Sequence, residues 1–274
     1  MKVAICARPN FADAAAAARI AAGRIRATGH EVVDVGLDDV KDDQLQGIEL
    51  AAVFGGDGTM LHAARALSPR GIPLLGVNIG HLGFLTIATT QEFDAAFADI
   101  VAGRYEVEKR TMLGARLLRG GKELVSALAL NDVVVARGAL VRSIHIQVTV
   151  DAAPLIEYWA DGVITATATG STAYAFSVGG PLILPTAENI TLVPIAPHLS
   201  FPNAFVFDPD QRIALDVRDD PARLSIDGQV EHDVKAGDRV EVRRSATVAR
   251  LVRTAHARPF LALLRQKILK EPGL

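Results

Sequence analysis

The sequence predicts an α/β N-terminal domain with a parallel sheet, followed by a β-rich domain and a C-terminal helix that packs back on the first domain. Three observations carry this reading. Up to about residue 108, apolar runs of strand length alternate with helical stretches, the pattern of a parallel sheet covered by helices. After Tyr105 the helical periodicity fades and short strand-like runs follow one another, with hairpin residues between them. Residues 260–270 are helical again. The domains are therefore 1–108, with 257–274 returning to it, and 109–256.

In chain order, 3–7 is a strand and the alanine-rich 14–27 is a helix ended by Gly29. Strands 31–35 and 50–54 follow, the second running into Gly55-Gly56-Asp57-Gly58-Thr59, with a helix from Thr59. Strand 74–77 enters the loop Asn78-Ile79-Gly80-His81-Leu82-Gly83-Phe84. Thr89-Thr90-Gln91-Glu92 has the form of a capping box that opens the next helix. Strands 112–118, 123–130, 133–136, 144–150, 156–159 and 163–166 come next, with Gly120-Gly121 and Asp151-Ala152 as hairpin turns. Strands 213–217, 224–226, 239–242 and 248–252 complete the β-rich part.

With 274 residues, 50% hydrophobic and 22% charged, the chain is an ordinary globular one of one or two domains. Its net charge of -2 leaves no overall footprint for nucleic acid, and Arg243-Arg244 reads as a solvated strand end. The single cysteine, Cys6, lies in an apolar run and can form no internal disulfide, which fits a cytoplasmic, reducing setting. Met1-Lys2 leads straight into a strand, so no secretory leader is expected. No window approaches the roughly 20 apolar residues of a membrane helix, and no membrane partner is expected.

Three constellations carry chemistry. In 55–59 the glycines let a polyanion approach backbone N–H groups at a helix start, while Asp57 beside phosphate implies a metal or a proton to be removed. Asp57-Gly58 alone is equally a tight turn. Asn131-Asp132, an amide beside a carboxylate between two apolar strands, can bind both hydroxyls of a ribose, or is a turn. The segment 161–181 is dense in small residues and hydroxyls. A short helix starts near Thr172 and Gly179-Gly180-Pro181 ends it, with Ser171 and Thr172 as ligand contacts or as plain caps.

In these motifs, and in 78–85, the chain resembles the NAD kinase family over roughly residues 50–200. The loop 55–59 alone is shared with diacylglycerol and sphingosine kinases and, more distantly, with phosphofructokinases; the three motifs together are specific. The resemblance implies transfer of the terminal phosphate of ATP, or of polyphosphate, to the 2'-hydroxyl of the adenosine ribose of NAD. Asp57 would be the general base and Gly58 would touch the nucleotide. Asn131 and Asp132 would hold the ribose, Asp161 the nicotinamide side, and Thr172, Ala173, Tyr174 and Ser177 the adenine-side wall. Phe84 and Leu85 would help enclose the adenine. His62, Arg142 and Trp159 occupy positions that approach the dinucleotide in relatives, in some across a subunit boundary, with plain surface or core roles as the alternative. Gln229 resembles a late family motif, while Asp227-Gly228 is also a simple hairpin turn. The loop has no Lys, so a divalent cation, magnesium, is expected to supply charge. The resemblance also implies a homodimer or homotetramer built through the β-rich domains.

The chain departs from the family at two places. Asp132 stands where Glu is frequent, and Phe201-Pro202-Asn203 where an Arg-Pro pair is common. His198 reads as a structural loop histidine in preference to a phosphate contact. The competing readings are a lipid kinase, for which no acyl-chain cleft is signalled, and a dinucleotide-binding regulator without catalysis, against which intact Asp57 argues.

Overall fold

The computed structural model describes every residue except Pro9, His81, Leu82, 139–141, Asp220, His256 and 268–274. The chain forms two compact units, Met1–Lys109 with Val248–Leu274, and Arg110–Thr247.

The first unit contains β1 (Lys2–Ala7), α1 (Ala12–Ala27), β2 (Glu31–Asp34), β3 (Leu50–Phe54), α2 (Asp57–Leu67), β4 (Leu74–Asn78), the short β5 (Ala88–Thr89) and α3 (Phe93–Val101). The strand order is β2-β1-β3-β4, all parallel, with Val3 opposite Leu50 and Ala51 opposite Leu74. Every residue of β3 and β4 is buried, as expected of strands covered on both faces. Ala18, Ala21 and Ile25 of α1 join Phe54, Leu75, Phe93 and Phe97 in one core, the alanines letting the helix lie close to the sheet. Cys6 is in this layer, fully buried and unpaired. Burial, and then the charge of Asp34, pushes its thiol up to about 12.

Two starts differ from expectation. Helix α2 begins at Asp57, two residues before Thr59. The capping box forms only in part: the Glu92 carboxylate accepts the Thr89 N–H at 2.8 Å and the Thr89 hydroxyl at 2.9 Å, and α3 starts only at Phe93.

The second unit holds β6 (Tyr105–Arg119) from Arg110 on, β7 (Lys122–Ala129), β8 (Asp132–Arg137), β9 (Ile144–Val150), β10 (Ala153–Ala160), β11 (Gly162–Ala166), β12 (Ile190–Ile195), β13 (Phe205–Phe207), β14 (Ile213–Val217), β15 (Ala222–Ile226), β16 (Val230–Val234) and β17 (Arg239–Thr254) as far as Thr247. A one-turn helix, α4 (Tyr174–Ser177), lies between β11 and β12. One antiparallel sheet has the order β13-β12-β11-β8-β15-β16. In the other, β10-β9-β14 is followed by the 239–242 part of β17. Val133, Val163 and Leu192 from the first sheet and Ile146, Tyr158 and Leu215 from the second share one core.

The stretches 239–242 and 248–252, expected as two strands, are one; its far end belongs to the first unit, where Leu251 pairs with Leu74. Strands β12, β13 and β16 were not expected. The C-terminal helix, α5 (Phe260–Lys267), belongs to the first unit and buries Leu263; its expected end at Lys270 lies outside the described residues.

Candidate active site

In the first unit, β3 delivers the chain to Gly55, whose N–H donates to Val77 O at 2.9 Å, and α2 follows at once. Among the described residues, neither α1 nor α2 has a side-chain cap at its N-terminus. Both starts line a cavity of about 440 Å³, together with Gly55, Gly56 and Asn78. Two positive helix ends facing one cavity favour a polyanion there.

Asp57 does not line that cavity. Its carboxylate accepts the N–H groups of Phe84 at 2.9 Å and Leu85 at 3.0 Å, one on each oxygen. Gly83 permits this approach, because a Cβ there would overlap the carboxylate. Buried Asn78 and Thr86 hold the same loop. Asn78 donates to the Thr86 hydroxyl at 3.2 Å, Gly80 N–H donates to Asn78 Oδ1 at 2.8 Å, and Gly83 N–H donates to the Thr86 hydroxyl at 2.8 Å. Backbone donors thus orient Asp57, and each oxygen keeps a further acceptor site. His81 and Leu82 of this loop lie outside the described residues.

Gly58 is exposed in the first turn of α2. His62 Nε2 is 3.6 Å from Asp38, and burial first, then the Arg65 charge, hold its pKa below the usual value. The Phe84 ring rests 5.9 Å from Phe260 and 5.7 Å from the Lys267 ammonium. Leu85 is 3% exposed, so what it brings to the site is its N–H on Asp57.

In the second unit, Asn131 lies between β7 and β8, and Asp132 is the first residue of β8. The Asp227 carboxylate accepts the N–H groups of Leu130 at 3.0 Å, Asn131 at 2.8 Å and Asp132 at 3.2 Å, while Asp227 N–H donates to Asp132 O at 3.0 Å. The Thr167 hydroxyl donates to Leu130 O at 2.6 Å and Thr167 N–H to Asn131 O at 2.9 Å. Gly170 lies against Asn131 O with no room for a Cβ. The backbone of 130–132 is thereby occupied, and the Asn131 amide and Asp132 carboxyl have no hydrogen bond to the described residues. Asp132 is 5% exposed; burial, and then the Asp227 charge, pushes its carboxyl up to about 7.

The hydroxyls of the glycine-rich segment are mostly spent internally. Ser171 donates to Ala168 O at 2.7 Å and accepts Ile183 N–H at 3.1 Å; Thr172 donates to Thr169 O at 3.3 Å. A 3-10 turn, Thr169–Thr172, precedes α4 in place of one helix. Ala173 is half-buried, and Tyr174 and Ser177 are exposed.

Asp161 pairs with Arg137 at 3.2 Å. The exposed Trp159 ring stacks on His145 at 5.6 Å and meets His198 edge-on at 4.6 Å. His198 N–H donates to Trp159 O at 2.7 Å, as a loop histidine does. Arg142 is exposed and acts electrostatically on Asp219, the carboxylate that binds His145. Gln229 closes the Asp227-Gly228 turn through its N–H on Ile226 O at 3.0 Å. A larger cavity, about 1050 Å³ and edged by Arg116, Arg239 and Arg243, contains none of these residues. Among the described residues no three His, Cys, Asp or Glu side chains gather to hold a metal ion.

A model of the ATP-NAD kinase N-terminal domain matches residues 14–105, and one of the ATP-NAD kinase C-terminal domain matches 130–254. This chain belongs to the ATP-NAD kinase family. An NAD kinase of Heliobacterium modesticaldum is 42% identical over 228 residues, 82% of this chain and 80% of that relative. The crystal structure of an NAD kinase from Archaeoglobus fulgidus in complex with ATP matches with a TM-score of 0.75 and 26% identity, over 92% of this chain and 93% of that one. Yeast NADH kinase complexed with NADH matches with a TM-score of 0.88 at 24% identity, over 98% and 87%, a likeness of fold. The lipid-kinase and inactive-regulator readings find no support among these ATP-NAD kinase matches. Sequence reasoning did not single out Asp227 or Thr86 for this ATP-NAD kinase site. The Asp-Gly turn was visible, but its carboxylate binds a residue 97 positions earlier.

Proposed function

We propose that this chain transfers the terminal phosphate of ATP to the 2'-hydroxyl of the adenosine ribose of NAD, giving NADP. The observation that carries the reading is Asp57, in a chain of the ATP-NAD kinase family: a carboxylate at the first residue of α2, oriented by two backbone N–H groups. Phosphoryl transfer needs positioning, charge neutralisation and somewhere for the hydroxyl proton to go. Asp57 accepts that proton from a hydroxyl within hydrogen-bond reach. The uncapped starts of α1 and α2, with Gly55, Gly56 and Gly58, receive the nucleotide phosphates.

For the acceptor, the unspent amide of Asn131 and carboxyl of Asp132 engage ribose hydroxyls. Asp161 serves the nicotinamide side, Thr172, Ala173, Tyr174 and Ser177 the adenine side, and Phe84 its enclosure, while Leu85 acts through its N–H on Asp57. His62, Arg142, Trp159 and Gln229 are secondary contacts. The described residues form no cage for a resident ion, so the divalent cation, magnesium, comes with the ATP phosphates, as this ion does where one or two carboxylates and substrate oxygens share it.

Steady-state formation of NADP, measured with ATP, other triphosphates and polyphosphate against NAD and NADH, tests the reaction and selects the donor. No NADP with any donor would sink the reading. A homodimer or homotetramer assembled through the β-rich units completes the proposal, in the cytoplasm; a monomer by light scattering would overturn that assembly.

A further inference from the structure

Asp227 has no part in the mechanism above. It occupies a hairpin turn at φ 52° and is 7% exposed. The Asp227 carboxylate accepts three consecutive N–H groups where β7 gives way to β8, those of Leu130, Asn131 and Asp132. The two residues that follow Leu130 are the ones whose side chains remain unspent, and Asp227 also acts on Asp132 through its charge.

We propose that Asp227 is a positioning residue for acceptor recognition, aiming the Asn131 amide and the Asp132 carboxyl through the backbone and acting on that carboxyl by its negative charge. The proposal rests on the reading that Asn131 and Asp132 bind the acceptor ribose. The surroundings of Asp132 leave Asp227 as its charged neighbour: Ala166 of β11 stands opposite it, and β15 brings Ile226 opposite Val133. In the adjoining segment, buried Arg110 donates to the Thr169 hydroxyl at 3.2 Å.

The electrostatic half of the role is readable in pH. With the Asp132 carboxyl pushed up to about 7 by burial and by Asp227, the subsite changes protonation near neutrality. A vicinal diol presents two O–H donors, which an ionised carboxylate accepts with charge-assisted bonds and a protonated one accepts less well. Acceptor binding therefore releases a proton, and affinity rises with pH through neutrality.

The test is calorimetric NAD affinity from about pH 5.5 to about pH 8.5, around the range of the shifted group, for the full chain, Asp132→Asn, Asp227→Asn and Asp227→Glu. The wild type should tighten about tenfold across the range, one pKa unit of linkage, and Asp132→Asn should be flat. Asp227→Asn should bind more weakly throughout, with its midpoint lowered by about one unit; Asp227→Glu, which keeps the charge, should bind more weakly at an unmoved midpoint. An Asp227→Asn protein with the wild-type midpoint, whether or not its affinity falls, overturns the proposal, as does a sloping Asp132→Asn profile. If Asp227→Asn does not fold, Asp132→Asn still decides the pH dependence, and wild-type amide exchange decides the clamp, since unprotected Leu130, Asn131 and Asp132 amides refute it. If the wild type binds no NAD, the ribose reading fails by itself; amide exchange and a carboxyl NMR titration of Asp132 then decide whether Asp227 clamps and charges the segment.

Discussion

Asp57 is both a candidate proton acceptor and an anchor for the 83–85 backbone. An asparagine there would turn an amide N–H₂ toward the N–H of Phe84 or Leu85, setting donor against donor. Asp57→Asn should therefore lower kcat by about 10²- to 10⁴-fold, the usual contribution of a positioned base. NAD affinity, read by calorimetry, should change far less, because Asn131 and Asp132 are untouched. Near-wild-type turnover would remove this aspartate from the mechanism. Gly83 makes the complementary case: Gly83→Ala leaves the carboxylate in place but adds a methyl where it lies. The expected result is a loss of about 1–3 kcal/mol by urea denaturation, with turnover falling although every proposed contact residue is retained.

Local chemistry made some elements legible and left others hidden. Strands β1 and β3, and the turns at Gly120-Gly121 and Asp151-Ala152, were readable because their signals lie in adjacent residues; all four turn residues have positive φ. Strand β12 was missed because Pro194 reads as a breaker. The structure accommodates it because β13 pairs only with Ile190, Thr191 and Leu192, so no ladder on that side extends to Pro194. Strand β16 was missed because Val230-Glu231-His232-Asp233-Val234 is a polar edge without an apolar run. The 55–59 loop and Asn131-Asp132 were visible as motifs, but the donors that orient Asp57 and the clamp on Leu130 are set by long-range folding.

The same distinction shapes two element-level predictions. Asp238, 1% exposed, ties the end of β6 to the turn before β17 through Arg119 at 2.8 and 2.7 Å and the Lys235 N–H at 2.8 Å. The Arg119 bond, chiefly, holds its carboxyl below the usual range. That stabilisation is present above the ordinary carboxylate pKa and is lost as pH falls through the lowered one. Asp238→Asn should cost about 2 kcal/mol at neutral pH, and the difference from wild type should close in acid denaturation once the pH falls below the lowered Asp238 carboxyl. Within β11, the Thr165 hydroxyl is fully buried without a partner among the described residues. Thr165→Val keeps the shape and removes that group, so Tm should hold or rise, with a gain of up to about 1 kcal/mol.

For the whole molecule, Asp132 imposes a pH dependence of the opposite sign. Its carboxyl is raised to about 7 in the fold, so the folded chain binds more protons than the unfolded one between about 4 and that value, and stability falls as pH rises across the window. Asp132→Asn should gain more Tm over wild type at about pH 8 than at about pH 5; equal gains would mean that this carboxyl is not strained in the fold. The interrupted course of the first unit governs when it can exist at all. Its sheet takes Leu251 beside Leu74, and Phe84 rests on Phe260, yet these partners are separated by the entire second unit. On the ribosome the unit begun first is therefore the one completed last. Until the final stretch emerges, the loop that orients Asp57 waits without its Phe260 support, which makes late synthesis the step at which a nascent chain most needs protection from aggregation.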